Sequence, residues 1–249
     1  MKIIVAAFYA DIPGRPSRFD EFLTLVLASR RALALTNPRA RYVVLTDPPT
    51  GELFDRAGVA NLPIAETALP LMLKIIDAQR RFVRQTAADL IVLPDIDCLA
   101  NRALADAIPA TVGLAVTHKG PKFRRKINNL AYVRDRELGA RFLDRAFAVL
   151  EGWPVDTQEW GGDQEAWGAV LGEPRDWRPL GGECFVTPSA PHIHLYPCAT
   201  HNKPLADSGE IHARRHAVAY FIHLKGPRKQ HLAKFMAARF GGGGATDGA

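Results

Sequence analysis

Apolar residues along this chain fall into two kinds of run. Short unbroken runs mark buried strands, and longer runs with apolar positions three and four apart mark helices. Lys2 to Tyr9, rich in Ile and Val, predicts a first strand. Pro13-Gly14-Arg15-Pro16 predicts a loop. Ser17 then caps a helix running to about Leu35, with Phe22, Leu25, Val26, Ser29 and Leu33 at helical spacing. Asn37-Pro38 stops it, and Arg41 to Thr46 reads as a second strand ended by Asp47-Pro48-Pro49. Strand, helix and strand within about 45 residues begin a doubly wound sheet.

Leu71 to Thr86 predicts a second strong helix, with Leu73, Ile76, Phe82 and Val83 among its apolar positions. It delivers the chain to Leu90 to Leu93, an uninterrupted apolar run with a β-branched middle, suited to a strand buried on both faces. Further strands are expected at Thr111 to Val116, Leu130 to Val133, Pro179 to Thr187, Ile193 to Tyr196 and Ala217 to Leu224, and a helix at Glu137 to Leu150. No repeat or linker interrupts this order. Residues 1–240 therefore read as a single α/β domain, and 241–249 as a flexible glycine-rich tail.

Composition narrows the class modestly. A chain of 249 residues that is 47% hydrophobic can bury a sizeable core. Its three cysteines, Cys98, Cys184 and Cys198, contain no C-x-x-C, so neither a disulfide framework nor a zinc site is expected, and a reducing compartment fits. Ile3 to Ala10 is too brief for a signal segment, and no run approaches membrane-spanning length. A cytoplasmic location is expected. The net charge of +6 is unevenly spread. Lys119, Lys122, Arg124, Arg125, Lys126, Arg134 and Arg136 crowd one segment, and Arg214, Arg215, Lys225, Arg228, Lys229, Lys234 and Arg239 another. Such runs are either solvated faces or surfaces for phosphate: a nucleotide, a nucleic acid or the inner face of an anionic membrane.

Three segments carry candidate chemistry. After the central strand, Pro94 removes a ladder donor, and Asp95-Ile96-Asp97 follows at the edge where open α/β sheets bind ligands. Two carboxylates so spaced can converge on a hard divalent cation. The same residues equally fit a solvated turn whose Asp95 caps a helix over Asn101 to Ile108. Trp160-Gly161-Gly162-Asp163-Gln164-Glu165-Ala166-Trp167 joins a glycine turn to a helix. Asp163 is a natural N-cap there, and the two Trp offer either sugar-stacking surface or core. Tyr220-Phe221-Ile222-His223-Leu224-Lys225-Gly226-Pro227 sets an imidazole, a cation and a turn glycine at a strand end. The remaining histidines show no metal-ligand spacing.

Taken in order, the Asp-Ile-Asp strand end, Asn128-Asn129-Leu130-Ala131-Tyr132-Val133, Gly162-Asp163-Gln164-Glu165 and Ile222-His223-Leu224-Lys225-Gly226 resemble the GT-A nucleotide-diphospho-sugar glycosyltransferases. They come nearest to the family 8 type that includes glycogenin and bacterial lipopolysaccharide galactosyltransferases. The resemblance implies a Rossmann-like α/β fold with a mixed central sheet flanked by helices. It implies Mn²⁺ or Mg²⁺ held by Asp95, Asp97 and His223. Donor contacts would come from Ala6, Phe8 and Tyr9 at the base, from Lys74, Asn128 and Asn129, and from Lys225 and Gly226 by the diphosphate. Asp163 and Gln164 would lie beside the transferring sugar. After Pro227 the chain departs from the family's K-P-W ending, with Arg228-Lys229-Gln230 there.

The function so implied is metal-dependent transfer of a sugar from a nucleoside diphosphate, UDP for choice, to an acceptor hydroxyl with retention. The basic segments suit an anionic glycan or glycolipid acceptor and peripheral membrane contact. Two other readings compete. A nucleotidyltransferase also uses acids at strand ends, but Ala7-Phe8-Tyr9-Ala10 contains no glycine-rich phosphate loop. A basic module for nucleic acid or anionic surfaces would leave Asp95, Asp97, Asp163 and Gln164 idle.

Overall fold

Six apolar residues with no polar one among them, Ile3–Phe8, form β1, and all six are buried. The structure is a computed structural model that describes residues 1–12, 14–120, 127–158, 161–188, 190–206 and 216–241. The basic residues Lys122 to Lys126, Trp160, Arg214, Arg215 and the tail from 242 onward lie outside the described residues. Beyond β1 come α1 (Phe19–Thr36), β2 (Arg41–Thr46), α2 (Pro48–Arg56), β3 (Asn61–Pro63), α3 (Leu71–Gln85), β4 (Leu90–Pro94) and β5 (Cys98–Ala100). The second half supplies β6 (Leu114–His118), β7 (Ile127–Val133), α4 (Arg136–Glu151), α5 (Gly162–Leu171), β8 (Arg178–Gly181), β9 (Cys184–Thr187) and β10 (Ala190–Pro197). It closes with α6 (Cys198–His201), β11 (Asn202–Pro204), β12 (Phe221–His223) and, after 3₁₀ turns, α7 (Leu232–Phe240).

Nine strands make one sheet in the order β3-β2-β1-β4-β7-β6-β10-β9-β8. The first four run parallel, and β7 is antiparallel to both β4 and β6. That is a mixed α/β sheet, as the sequence leads one to expect. Strand β4 lies at its centre, buried along its length, because Leu90 and Val92 face one core and Ile91 and Leu93 the other. Its carboxyl end therefore opens where the parallel half meets the antiparallel half.

Asp47-Pro48-Pro49 ends β2 as expected and also starts α2, a helix the sequence did not announce: Asp47 accepts from Thr50 N at 3.2 Å, and the prolines occupy first-turn positions that need no donor. The helix expected over Asn101 to Ile108 is absent, and β5 precedes turns instead. Asn101 is the reason. Its amide donates to the His216 and Ala219 carbonyls at 2.7 and 2.9 Å, and its Oδ1 accepts from Arg239. That side chain is spent tying the loop to the C-terminal segment.

Candidate active site

The three-stranded sheet β11-β12-β5 sits beyond the end of β4 and builds the site. Antiparallel pairing of β12 with β5 sets Phe221 against Ala100, Ile222 against Leu99 and His223 against Cys98. Leu224 N donates to Asp97 O at 2.9 Å, locking the exit of β12 to the Asp-Ile-Asp turn. Hydrophobic burial of Ile222 and Leu224 holds this pairing in place. His223, distant in sequence, is thereby delivered to the two aspartates. Its Nε2 lies 2.9 Å from Asp97 Oδ1 and 3.6 Å from Asp95 Oδ2.

The protonation states follow from burial and neighbours. Burial pushes the Asp95 carboxyl up to about 7; attraction to His223 opposes this, and the charges of Asp97 and Asp163 add to it. Burial would also raise Asp97, but the charge and hydrogen bond of His223, with help from Lys229, hold it below the usual carboxylate range. Burial would lower His223; Asp97 and Asp95 outweigh that and raise it. Two carboxylates and one imidazole so gathered offer hard oxygen and nitrogen donors. That set fits a divalent cation.

Lysines ring this centre. Lys229 Nζ lies 3.9 Å from Asp97 Oδ2 and 3.5 Å from Glu21 Oε1, over the Phe22 ring at 4.2 Å. Lys229 was passed over in the sequence, where Lys225 drew attention as the cation nearest His223. The signal present was the turn glycine Gly226 between the two, which can carry a lysine three residues on back toward His223. Lys225 is half-buried, close enough for its charge to act on both Asp95 and His223. Gly226 takes φ +61°, a left-handed value that turns the chain and that β-carbon-bearing residues resist. With Arg18, Glu21 and Lys229 it lines an open cavity of about 560 Å³.

Asp163 and Gln164 lie in the first turn of α5, whose N-cap is Gly161 (φ +83°) rather than Asp163. Asp163 is buried, accepts a short hydrogen bond from Asn129 Nδ2 and also accepts from Gln164 N at 2.8 Å. Gln164 Oε1 accepts from Lys119 Nζ at 3.1 Å. Asn128 and Asn129 alternate across β7, so Asn129 meets α5 while Asn128 turns toward Thr117 and Cys198. Both carry a buried Oδ1 with no partner among the described residues. Trp167 is core, packed edge-on against Phe142 and 1% exposed.

The residues that the resemblance assigns to the donor base, and Lys74 beside them, sit differently from one another. Ala6 and Phe8 are buried in the core beneath the sheet edge. Tyr9 stacks at 4.5 Å on Phe22, and its hydroxyl donates to Asp11 Oδ1 at 2.5 Å. Asp11 Oδ2 accepts from Ser17 Oγ at 2.6 Å. Lys74 is 2% exposed and paired with Asp47 at 2.9 Å. Asp11, Ile12, Arg15, Thr67 and Lys74 line a second cavity of about 300 Å³. Asp11 and Arg15 thus line a cavity beside Lys74, and the sequence did not single them out.

No protein-family model matches the sequence, and no curated protein matches it. Solved structures do. A glycosyltransferase involved in glycosylation of the major capsid of PBCV-1 aligns with a TM-score of 0.56 over 93% of this chain and 98% of its own, at 12% identity. The glycosyltransferase GlyE of Streptococcus pneumoniae TIGR4 aligns with a TM-score of 0.55 over 90% of this chain and 55% of its own, at 10% identity. The fold is GT-A-like. Among the described residues no helix is long and apolar enough to cross a membrane.

Proposed function

We propose that the chain is a metal-dependent glycosyltransferase of the family 8 kind, moving a sugar from a nucleoside diphosphate, UDP foremost, to an acceptor hydroxyl with retention. One observation carries this reading. His223 meets Asp95 and Asp97 at the carboxyl end of the central strand, with Lys225 and Lys229 on the same rim. A Mn²⁺ or Mg²⁺ ion bound there would neutralise charge on the departing diphosphate.

The chain's own residues then have distinct tasks. Asp95, Asp97 and His223 hold the ion, and Lys229 and Lys225 add fixed positive charge where the diphosphate leaves. The cavity at the exit of β1 is of a size for the nucleoside, since small-molecule sites run from about 300 Å³ upward. Asp11, fixed by the Tyr9 and Ser17 hydroxyls, offers acceptor oxygens to ribose hydroxyls or a base N–H. Asp163 is already engaged by Asn129 and a backbone N–H, which makes it a poor general base for an inverting attack. That supports retention, with Gln164, steadied by Lys119, beside the anomeric carbon. The nearby basic residues favour an anionic glycan or glycolipid acceptor.

Hydrolysis of a panel of nucleotide sugars with Mn²⁺ tests the reading. One donor should be cleaved, and Asp97→Asn should slow cleavage by about 10²-fold or more. The fold should survive, because Asn keeps an oxygen within reach of His223. Equal turnover in the variant, or full activity in EDTA, would remove the metal assignment.

A further inference from the structure

Beside the two aspartates and the histidine lies a donor that a site for Mn²⁺ or Mg²⁺ does not need. Cys98 directly follows Asp97 and is the residue opposite His223 in the β5–β12 pair. Directly opposed residues of an antiparallel pair project to the same face. One carboxylate oxygen of Asp97, Cys98 Sγ and one ring nitrogen of His223 accordingly lie within 4.8 Å of one another, all three buried. Cys98 Sγ also contacts Asn202 Oδ1 at 3.4 Å, and Asn202 Nδ2 is buried without a partner among the described residues. Amide oxygen and nitrogen are interchangeable by a flip, so the same Asn202 can present an N–H to a sulfur that becomes negative.

We propose that Asp97, Cys98 and His223 form a zinc site, and that zinc captured there competes with the metal of sugar transfer. Oxygen, sulfur and nitrogen together are a zinc donor set, whereas Mn²⁺ and Mg²⁺ favour oxygen. Even for oxygen and nitrogen alone, Zn²⁺ binds more tightly than Mn²⁺, and a thiolate widens the gap. Three protein ligands leave a fourth tetrahedral position for water or a diphosphate oxygen. As the metal–ligand bonds form, the thiol and the imidazole release their protons to the buffer, and no electron is transferred. Occupation by zinc uses two of the three residues assigned to the donor metal, so the same centre becomes sensitive to zinc supply. Only this competition rests on the function proposed above; sulfur ligation stands or falls without any nucleotide.

Cobalt is the probe, because Co²⁺ takes zinc's place and gives a sulfur-to-metal charge-transfer band only when a thiolate is bound. The full-length chain, stripped of metal, should develop that band on titration with Co²⁺ and lose it when one equivalent of Zn²⁺ is added. Cys98→Ser should abolish the band and weaken Zn²⁺ binding by more than the roughly hundredfold that loss of an outer-shell partner can cost, with Mn²⁺ binding changed far less. Cys184→Ser should leave both unchanged. Absence of the band in the wild-type chain overturns the proposal. So does a band that survives Cys98→Ser or disappears in Cys198→Ser instead. Should Cys98→Ser fail to fold, X-ray absorption on the wild-type zinc form decides, since a sulfur shell at about 2.3 Å must be present. Loss of the manganese-dependent UDP response with sulfur ligation intact would defeat the sugar-transfer reading alone.

Discussion

Lys74 is where a binding role and a structural role make opposite predictions. It is 2% exposed, and its Nζ lies 2.9 Å from Asp47 Oδ2, which is itself buried. The other Asp47 oxygen caps α2 through Thr50 N. Lys74→Met fills similar volume but leaves the Asp47 carboxylate buried without its cation. Losing one partner of a buried pair costs about 3–5 kcal/mol. For a chain of this size each kcal/mol moves the melting temperature by about 2–4 °C, so a drop near 10 °C is expected. Asp47→Ser keeps a capping oxygen and strands the Lys74 ammonium, with a loss of similar size. In the Lys74→Met, Asp47→Ser double variant neither charge remains, and the drop should be well below the sum of the two. The assay is thermal unfolding followed by circular dichroism, with nucleotide affinity measured on whichever variants fold. A Lys74→Met protein that melts like wild type but loses nucleotide binding would refute this argument and return Lys74 to the donor site.

Two further outcomes are expected. Lys229→Met should raise the donor KM and lower kcat, together about 10²-fold in kcat/KM, while Lys234→Met on the outer side should do neither; equal effects would mean that Lys229 acts only through bulk charge. Burial lowers the pKa of His118 and His201, so below about pH 6.5 the unfolded chain takes up protons that the folded one refuses, and their contribution to stability falls with pH. His223 works in the opposite direction: its raised pKa supports the fold most fully below about pH 6.5, and that support is lost as pH rises through its folded value. Melting temperature against pH for His201→Gln should therefore show a shallower acid slope than wild type, and an unchanged slope would contradict the assignment.

Much of the first half is legible in the sequence because burial on both faces leaves a plain mark. Ile3–Phe8, Arg41–Thr46 and Leu90–Pro94 need no long-range information to be read as strands. The Asp-Ile-Asp turn could be placed at a sheet edge for the same reason. Features set by distant contacts are a different matter. Strand β12 falls within the stretch Ala217 to Leu224 that reads as a strand, but β5 has three residues, too short for a periodicity, and neither segment announces that the two pair. The convergence of His223 with Asp97 was accordingly inferred from resemblance rather than pattern. Asp47 and its prolines end β2 as the sequence suggests, but that the same prolines open a helix emerges only once Thr50 N finds Asp47. Lys229 was missed because sequence adjacency pointed to Lys225, while the turn at Gly226 carries the chain round to Asp97.

The most direct measurement is the melting temperature of the chain with UDP, with Mn²⁺ and with both. Asp95 and Asp97 can engage a diphosphate only through a shared cation, because carboxylate and phosphate oxygens do not bond each other directly, so ion and nucleotide should bind cooperatively. Ligand at a hundredfold excess over Kd stabilises by about 2.7 kcal/mol, a shift of several degrees here. The account predicts that the shift with both exceeds the sum of the separate shifts, and that EDTA or Asp95→Ala cancels it. GDP, CMP, CDP and dTDP belong in the same plate. A plate in which no nucleotide gives a metal-dependent shift would contradict the claim that this site binds a metal–nucleotide donor.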